Sequence, residues 1–159
     1  WARLFHLYGP GEDPRRLIPM LIRNLRSGQP AEVRASGLIR DYASTPHVAA
    51  CLAALLQTGA AGIFDIGSGQ PRSLGALAGI VAETLGKPKL LQLSHRPTGE
   101  DLPVMAPDLF RLHERIGRMA ERPELALAAY SRSWHESDRL SGPSGDDPSG
   151  ARIREGDGR

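Results

Sequence analysis

Lysine is almost absent from this chain. Of its 20 basic residues only Lys87 and Lys89 are lysines, so 18 of its 159 residues are arginine. Arginine holds phosphate and carboxylate as a planar fork, which raises the expectation of an anion site, although arginine-rich codon usage accounts for the same bias. Cysteine is as scarce. Cys51 stands alone, which excludes an intramolecular disulfide and a cysteine-based zinc cluster, and its place in the run VAACLAALL reads as core packing. Long apolar runs are also missing. The longest, from Val48 to Leu56, is nine residues, against the roughly 20 that span a bilayer. With no membrane span and no signal-peptide pattern, a cytoplasmic location is expected. Charge of one sign is lacking too: 20 basic and 18 acidic residues leave +2, too balanced to argue for nucleic acid.

What remains is an ordinary globular composition, 40% hydrophobic and 24% charged. That excludes wholesale disorder and suits one domain, which can remove about two thirds of its unfolded surface from water. The chain opens on Trp1 and enters an apolar run at once, so it is expected to begin inside something larger.

Strand and helix patterns alternate along it, which argues α/β. WARLFHLYGPG reads as one short strand stopped by Gly9, Pro10 and Gly11. Leu17, Ile18, Leu21, Ile22 and Leu25 fall at helical spacing between Arg15 and Arg26, and Gly28 closes that helix. Val33 and LIRDYAS are extended. Thr45-Pro46 reads as a capping hydroxyl followed by proline, opening a helix to about Gln57. GIFDIG is a strand, Ser73 caps a helix ending at Gly86, and KLLQLS is a further strand. DLFRLHERIG is a helix, and a last one runs from Pro123 to about Glu136.

Several chemistries are excluded. A dinucleotide fingerprint needs three glycines at fixed spacing, but after Gly67 and Gly69 position 72 is arginine, and after Gly9 and Gly11 position 14 is proline. There is no phosphate loop and no nucleophile elbow. His6, His47, His95, His113 and His135 show no metal-ligand spacing, so no metal is expected and each reads as a surface or capping histidine.

Taken in order, five segments carry a resemblance: RLFHLYGPG, LIPMLIRNLRSGQP, SGLIRDYASTPHVA, GIFDIGSGQPRSLGALAGIVAETLG and RPTGEDLPVMAPD. They resemble the C-terminal half of the NAD-dependent epimerase/dehydratase family, the extended short-chain dehydrogenases that act on nucleotide-sugars. The resemblance implies an α/β chain that is the C-terminal, substrate-binding part of a Rossmann-type fold, with the N-terminal dinucleotide-binding sheet missing. Residues 1–136 would be that portion and residues 137–159, rich in Ser, Gly, Pro, Asp and Arg, a disordered tail.

In that family a glycine-rich turn binds the cofactor and a Tyr-x-x-x-Lys pair moves protons. Neither is here: four residues after Tyr8, Tyr42 and Tyr130 stand Glu12, Pro46 and Trp134. The resemblance therefore implies the substrate-binding half of an NAD- or NADP-dependent nucleotide-sugar epimerase, dehydratase or ketosugar reductase, inactive alone and with no catalytic residue of its own. The contrasting reading is a non-catalytic nucleotide-binding module or a decayed remnant. NAD or NADP would be bound mainly by the missing half, and the parent would be a homodimer through helices absent here.

Carried over residue by residue, the resemblance puts Arg40 and Arg96 on the diphosphate of a nucleotide-diphosphate sugar, Tyr42 and Asp101 at the nucleoside, and Leu17 and Ile18 along the same cleft. Phe5 and His6 would touch the cofactor. The structural alternatives are a surface salt bridge for either arginine, core packing for Tyr42, Leu17 and Ile18, and a turn for Asp101. Two departures stand out: the family usually has asparagine at His6, and acidic or polar residues at Pro46 and His47. Gly67-Ser68-Gly69 invites a phosphate-cradle reading, but a tight strand-to-helix turn is favoured.

The tail reading is directly testable. Deleting residues 138–159 should move the thermal midpoint by less than about 4 °C, on the order of 1 kcal/mol for a domain of this size. A larger drop would show that Leu140 or Ile153 docks on the fold.

Overall fold

A computed structural model describes residues 1–134. The expected tail, 137–159, and the last residues of the expected final helix lie outside them.

The first apolar run is two strands rather than one. β1 (Ala2–Leu4) and β2 (His6–Tyr8) part at Phe5 because they pair with different partners. α1 (Leu17–Arg26) follows, then β3 (Ala31–Val33), β4 (Ile39–Arg40) and β5 (Tyr42–Ser44). After α2 (Thr45–Gln57) come β6 (Phe64–Ile66), β7 (Arg72–Ser73) and α3 (Leu74–Thr84). A 3-10 turn at Pro88–Leu90 leads into β8 (Leu91–Leu93), followed by β9 (Val104–Met105), α4 (Phe110–Ile116) and α5 (Pro123–Ser133). β1 pairs with β6, β2 with β5 and β3 with β8, all parallel, while β4 sits between antiparallel β7 and parallel β9. Parallel pairing over crossover helices is the α/β arrangement that the alternating pattern implied.

The helices form for the expected reasons, with one shift. On α1 the stripe Ile18, Leu21, Ile22 and Leu25 is wholly buried, and it packs on α3. Ser73 caps α3 by accepting from the Ala76 amide at 3.1 Å. The cap of α2, however, is Ser44 rather than Thr45. Its hydroxyl accepts from the His47 amide, which puts Pro46 inside the first turn, where a missing amide costs nothing. Two cores result. One joins Tyr8, α1, β3, α3 and α5; the other joins Ala43, Val48, Cys51, Ile66, Leu109 and Leu112.

Asp41, between β4 and β5, fixes the strand-to-helix turn after β6. It is 0% exposed. Its Oδ1 accepts from the Ser68 amide at 2.6 Å, and its Oδ2 accepts from the Ser68 hydroxyl and the Gln70 amide, each at 3.1 Å. The turn comes so close that a Cβ on Gly67 would stand 2.7 Å from Asp41 Oδ1 and from Pro107 Cγ. Asp41→Ala strands the buried Ser68 amide and hydroxyl, at about 1–3 kcal/mol each at most, and leaves the Gln70 amide only its bond to the Ser68 hydroxyl. It should destabilise the fold by about 3 kcal/mol, on the order of 10 °C in thermal midpoint. A loss under about 1 kcal/mol by chemical denaturation would mean the turn holds without its carboxylate.

Candidate functional site around Arg40

Side chains alternate along an extended segment, so Arg40 and Tyr42 project away from the face on which Asp41 grips its turn. Arg40 is 7% exposed. Its Nη1 donates to the carbonyls of Ile39 and Leu102, both at 2.8 Å. Among the described residues no carboxylate lies within salt-bridge distance of it. A guanidinium taken so far out of water without a counter-ion is an attractor for anions.

Beside it, β2 and β5 place His6 opposite Tyr42 in register. The two rings stack with centroids 4.9 Å apart and planes 13° from parallel. Burial holds the His6 imidazole below its usual value, and the positive charges of Arg40 and Arg16 push the same way. His6 Nε2 is buried with no hydrogen-bond partner among the described residues. Burial raises the Tyr42 phenol, with Glu12 adding to the rise and Arg16 and Arg40 opposing it. The charges of Arg16 and Arg40 therefore act on the same two rings. Next to this stack a hollow of about 360 Å³ is lined by Arg3, Leu4, Phe5, His6 and Met105.

The structure thus brings together Arg40, Tyr42, His6 and Phe5. It does not bring Arg96 to them. Arg96 is exposed, its amide donates to the Arg34 carbonyl at 2.6 Å, and no hydrogen bond or ion pair of its guanidinium is found among the described residues. Asp101 feels the charge of Arg40, but its carboxylate accepts from the Thr98 amide and hydroxyl at 2.7 and 2.9 Å, which hold it below the usual range. It is a turn residue near the site. Leu17 is half-buried at the start of α1, whereas Ile18 is fully buried in the core, out of reach of a ligand. The 67–70 turn is occupied by Asp41 and has no free amides at Ser68 or Gln70 for a phosphate.

Sequence reasoning missed Arg16 and Glu12. Arg16 is 53% exposed at its side chain and pairs with Glu12. Its position just before the α1 stripe was visible, but nothing local says that this loop folds back onto Tyr42.

The sequence model of the NAD dependent epimerase/dehydratase family matches residues 1–67. No curated protein sequence matches the chain. Solved structures do. A UDP-N-acetylglucosamine 4-epimerase from Methanobrevibacter ruminantium, in complex with UDP-N-acetylmuramic acid, superposes with a TM-score of 0.73 at 17% identity, over 82% of this chain and 44% of its own. A dTDP-glucose 4,6-dehydratase from Streptomyces venezuelae, with NAD bound, gives 0.71 at 27% identity over 82% and 42%. The UDP-glucose 4-epimerase of Thermotoga maritima, solved with UDP-glucose, gives 0.73 at 20% over 82% and 44%. The chain spans less than half the length of each. Residues 1–67 thus match the model of the NAD dependent epimerase/dehydratase family, and the described residues share the Rossmann-type α/β fold of part of these solved enzymes.

Proposed function

We propose that this chain is the substrate-side portion of an NAD- or NADP-dependent enzyme that epimerises, dehydrates or reduces a nucleotide-diphosphate sugar. The observation that carries the reading is Arg40, a buried guanidinium tied to two carbonyls and facing no carboxylate among the described residues. Arg16, acting on the same His6–Tyr42 stack, is a better second fork for the diphosphate than Arg96. Tyr42, 8% exposed and stacked on His6, is part of the wall beside Arg40, while exposed Leu102, Val104 and Met105 form an apolar rim.

In such enzymes the nicotinamide exchanges hydride with a sugar carbon. The residues here supply at most one wall for it, through Phe5 and His6. They offer no cradle for the cofactor's pyrophosphate, since the 67–70 turn is filled by Asp41, and no Tyr-x-x-x-Lys pair. The chain accordingly binds and orients substrate, and no turnover is assigned to it alone.

A charge-assisted bond to phosphate contributes about 1.5–3 kcal/mol. Arg40→Ala should therefore weaken binding of UDP-glucose or dTDP, to this chain or a longer protein containing it, roughly 10- to 150-fold. Arg40→Lys should recover only part, because an ammonium keeps the charge and loses the fork. Glucose itself, lacking the diphosphate, should bind equally poorly to all three. Calorimetric titration decides it: undiminished affinity in the alanine variant would make Arg40 a structural residue and end the reading.

A further inference from the structure

Between β2 and α1 lies a group that this reading leaves unused. The Glu12 side chain is 10% exposed, and neither carboxylate oxygen accepts an aligned hydrogen bond among the described residues. Arg16 stands with Nε 3.1 Å from Oε1, so charge attraction is the tie between them. Both line a hollow of about 200 Å³ together with Leu7, Tyr8, Gly11 and Thr45, several times the space one water needs. Burial pushes the Glu12 carboxyl up to about 7 against the pull of Arg16 and the Gly9 amide, with Asp13 adding to the rise. From β2 Tyr8 lines the same hollow, its hydroxyl buried without a partner among the described residues. From β5 the phenol of Tyr42 feels the Glu12 charge. His6 feels Arg16.

We propose that Glu12 is the counter-ion Arg16 exchanges for phosphate, so that binding of a nucleotide-sugar draws a proton from solvent onto Glu12. The inference rests on Arg16 and Arg40 holding the diphosphate. Glu12 is then a positioning residue. Ionised, it keeps Arg16 folded over the hollow; once Arg16 turns to the ligand, the buried carboxylate loses its compensating cation and protonates.

The sign of the pH dependence follows. Below neutrality Glu12 already carries its proton and binding needs none. Above it the proton must be taken up, so affinity should fall roughly tenfold between pH 6 and pH 8. UDP-glucose is the probe, because its diphosphate is esterified at both ends and has no proton to titrate near neutrality. Calorimetry at pH 7.5 in two buffers of different ionisation enthalpy should show proton uptake by the unaltered chain. Glu12→Gln should show none and should bind with the same affinity at pH 6 and pH 8.

Failure of the unaltered chain to bind UDP-glucose overturns the nucleotide reading and this coupling with it. Binding without proton uptake overturns the coupling alone, as does uptake that survives in Glu12→Gln and vanishes in His6→Asn. Denaturation supplies a ligand-free check. A carboxyl raised from its ordinary 4.5 to about 7 costs stability as pH rises through that window, because the unfolded chain gives up the proton first. Glu12→Gln should match the parent at pH 5 and exceed it at pH 8. A difference that is the same at both values would place Glu12 in contact with solvent and overturn the proposal.

Discussion

The buried carboxylate of Asp41 is the constraint from which the rest of the site follows. It reaches across 27 residues to Ser68 and consumes the donors of the turn that leads from β6 toward α3. Two consequences come from that one contact. The turn, which has glycines on both sides of a serine and a left-handed backbone at Gly69 with φ +71°, is closed to external anions because an internal one fills it. And the nearest carboxylate in sequence is not available to neutralise Arg40. A buried ion that lacks its partner is costly, and Arg40 lies on a strand whose neighbour carries the exposed Val104 and Met105. The proposed diphosphate would supply the counter-charge that Arg40 lacks among the described residues.

The same alternation explains why aromatic rings gather there. With Asp41 turned inward, Tyr42 faces His6 across the β2–β5 pair, and both rings feel the charges of Arg40 and Arg16. Burial, helped by the charges of Arg40 and Arg16 and opposed by Asp41, pushes the His6 imidazole below its usual value. Tyr130 adds a tie on the other side of the loop by donating to the Gly9 carbonyl at 2.9 Å, which sets the height at which Glu12 and Arg16 leave β2.

Much of the fold was legible in the sequence because its signals are local. The α1 stripe, the Ser73 cap and the left-handed Gly86 that ends α3 (φ +67°) are read within a few residues of where they act. Arg40, Tyr42 and His6 could be singled out through the ordered resemblance of five segments, and the fold does stack His6 on Tyr42. What was not legible depends on distant partners. The run from Ala2 to Tyr8 has one hydrophobic pattern, yet it splits at Phe5 because its halves pair with β6 and β5. β9 is two residues long and exists only because β4 is beside it. Ser44 and Thr45 are equally good caps by residue type. The choice falls on Ser44, whose own amide is held by the buried Glu121 carboxylate, 77 residues on. Arg96 was expected at the diphosphate because the resemblance puts it there. It is Leu102, further along that loop, whose carbonyl reaches Arg40.

The central claim is that the chain meets a diphosphate at Arg40 and not at its Gly-Ser-Gly turn. Amide and arginine side-chain NMR spectra of the labelled chain, recorded while UDP-glucose is added, test this most directly. The account predicts the largest shifts at the Arg40 guanidinium and at the amides of His6, Tyr42 and Leu102, with the amides of Ser68 and Gln70 unmoved because Asp41 already occupies them. Saturable shifts centred on Ser68, Gly69 and Gln70, with Arg40 silent, would contradict it.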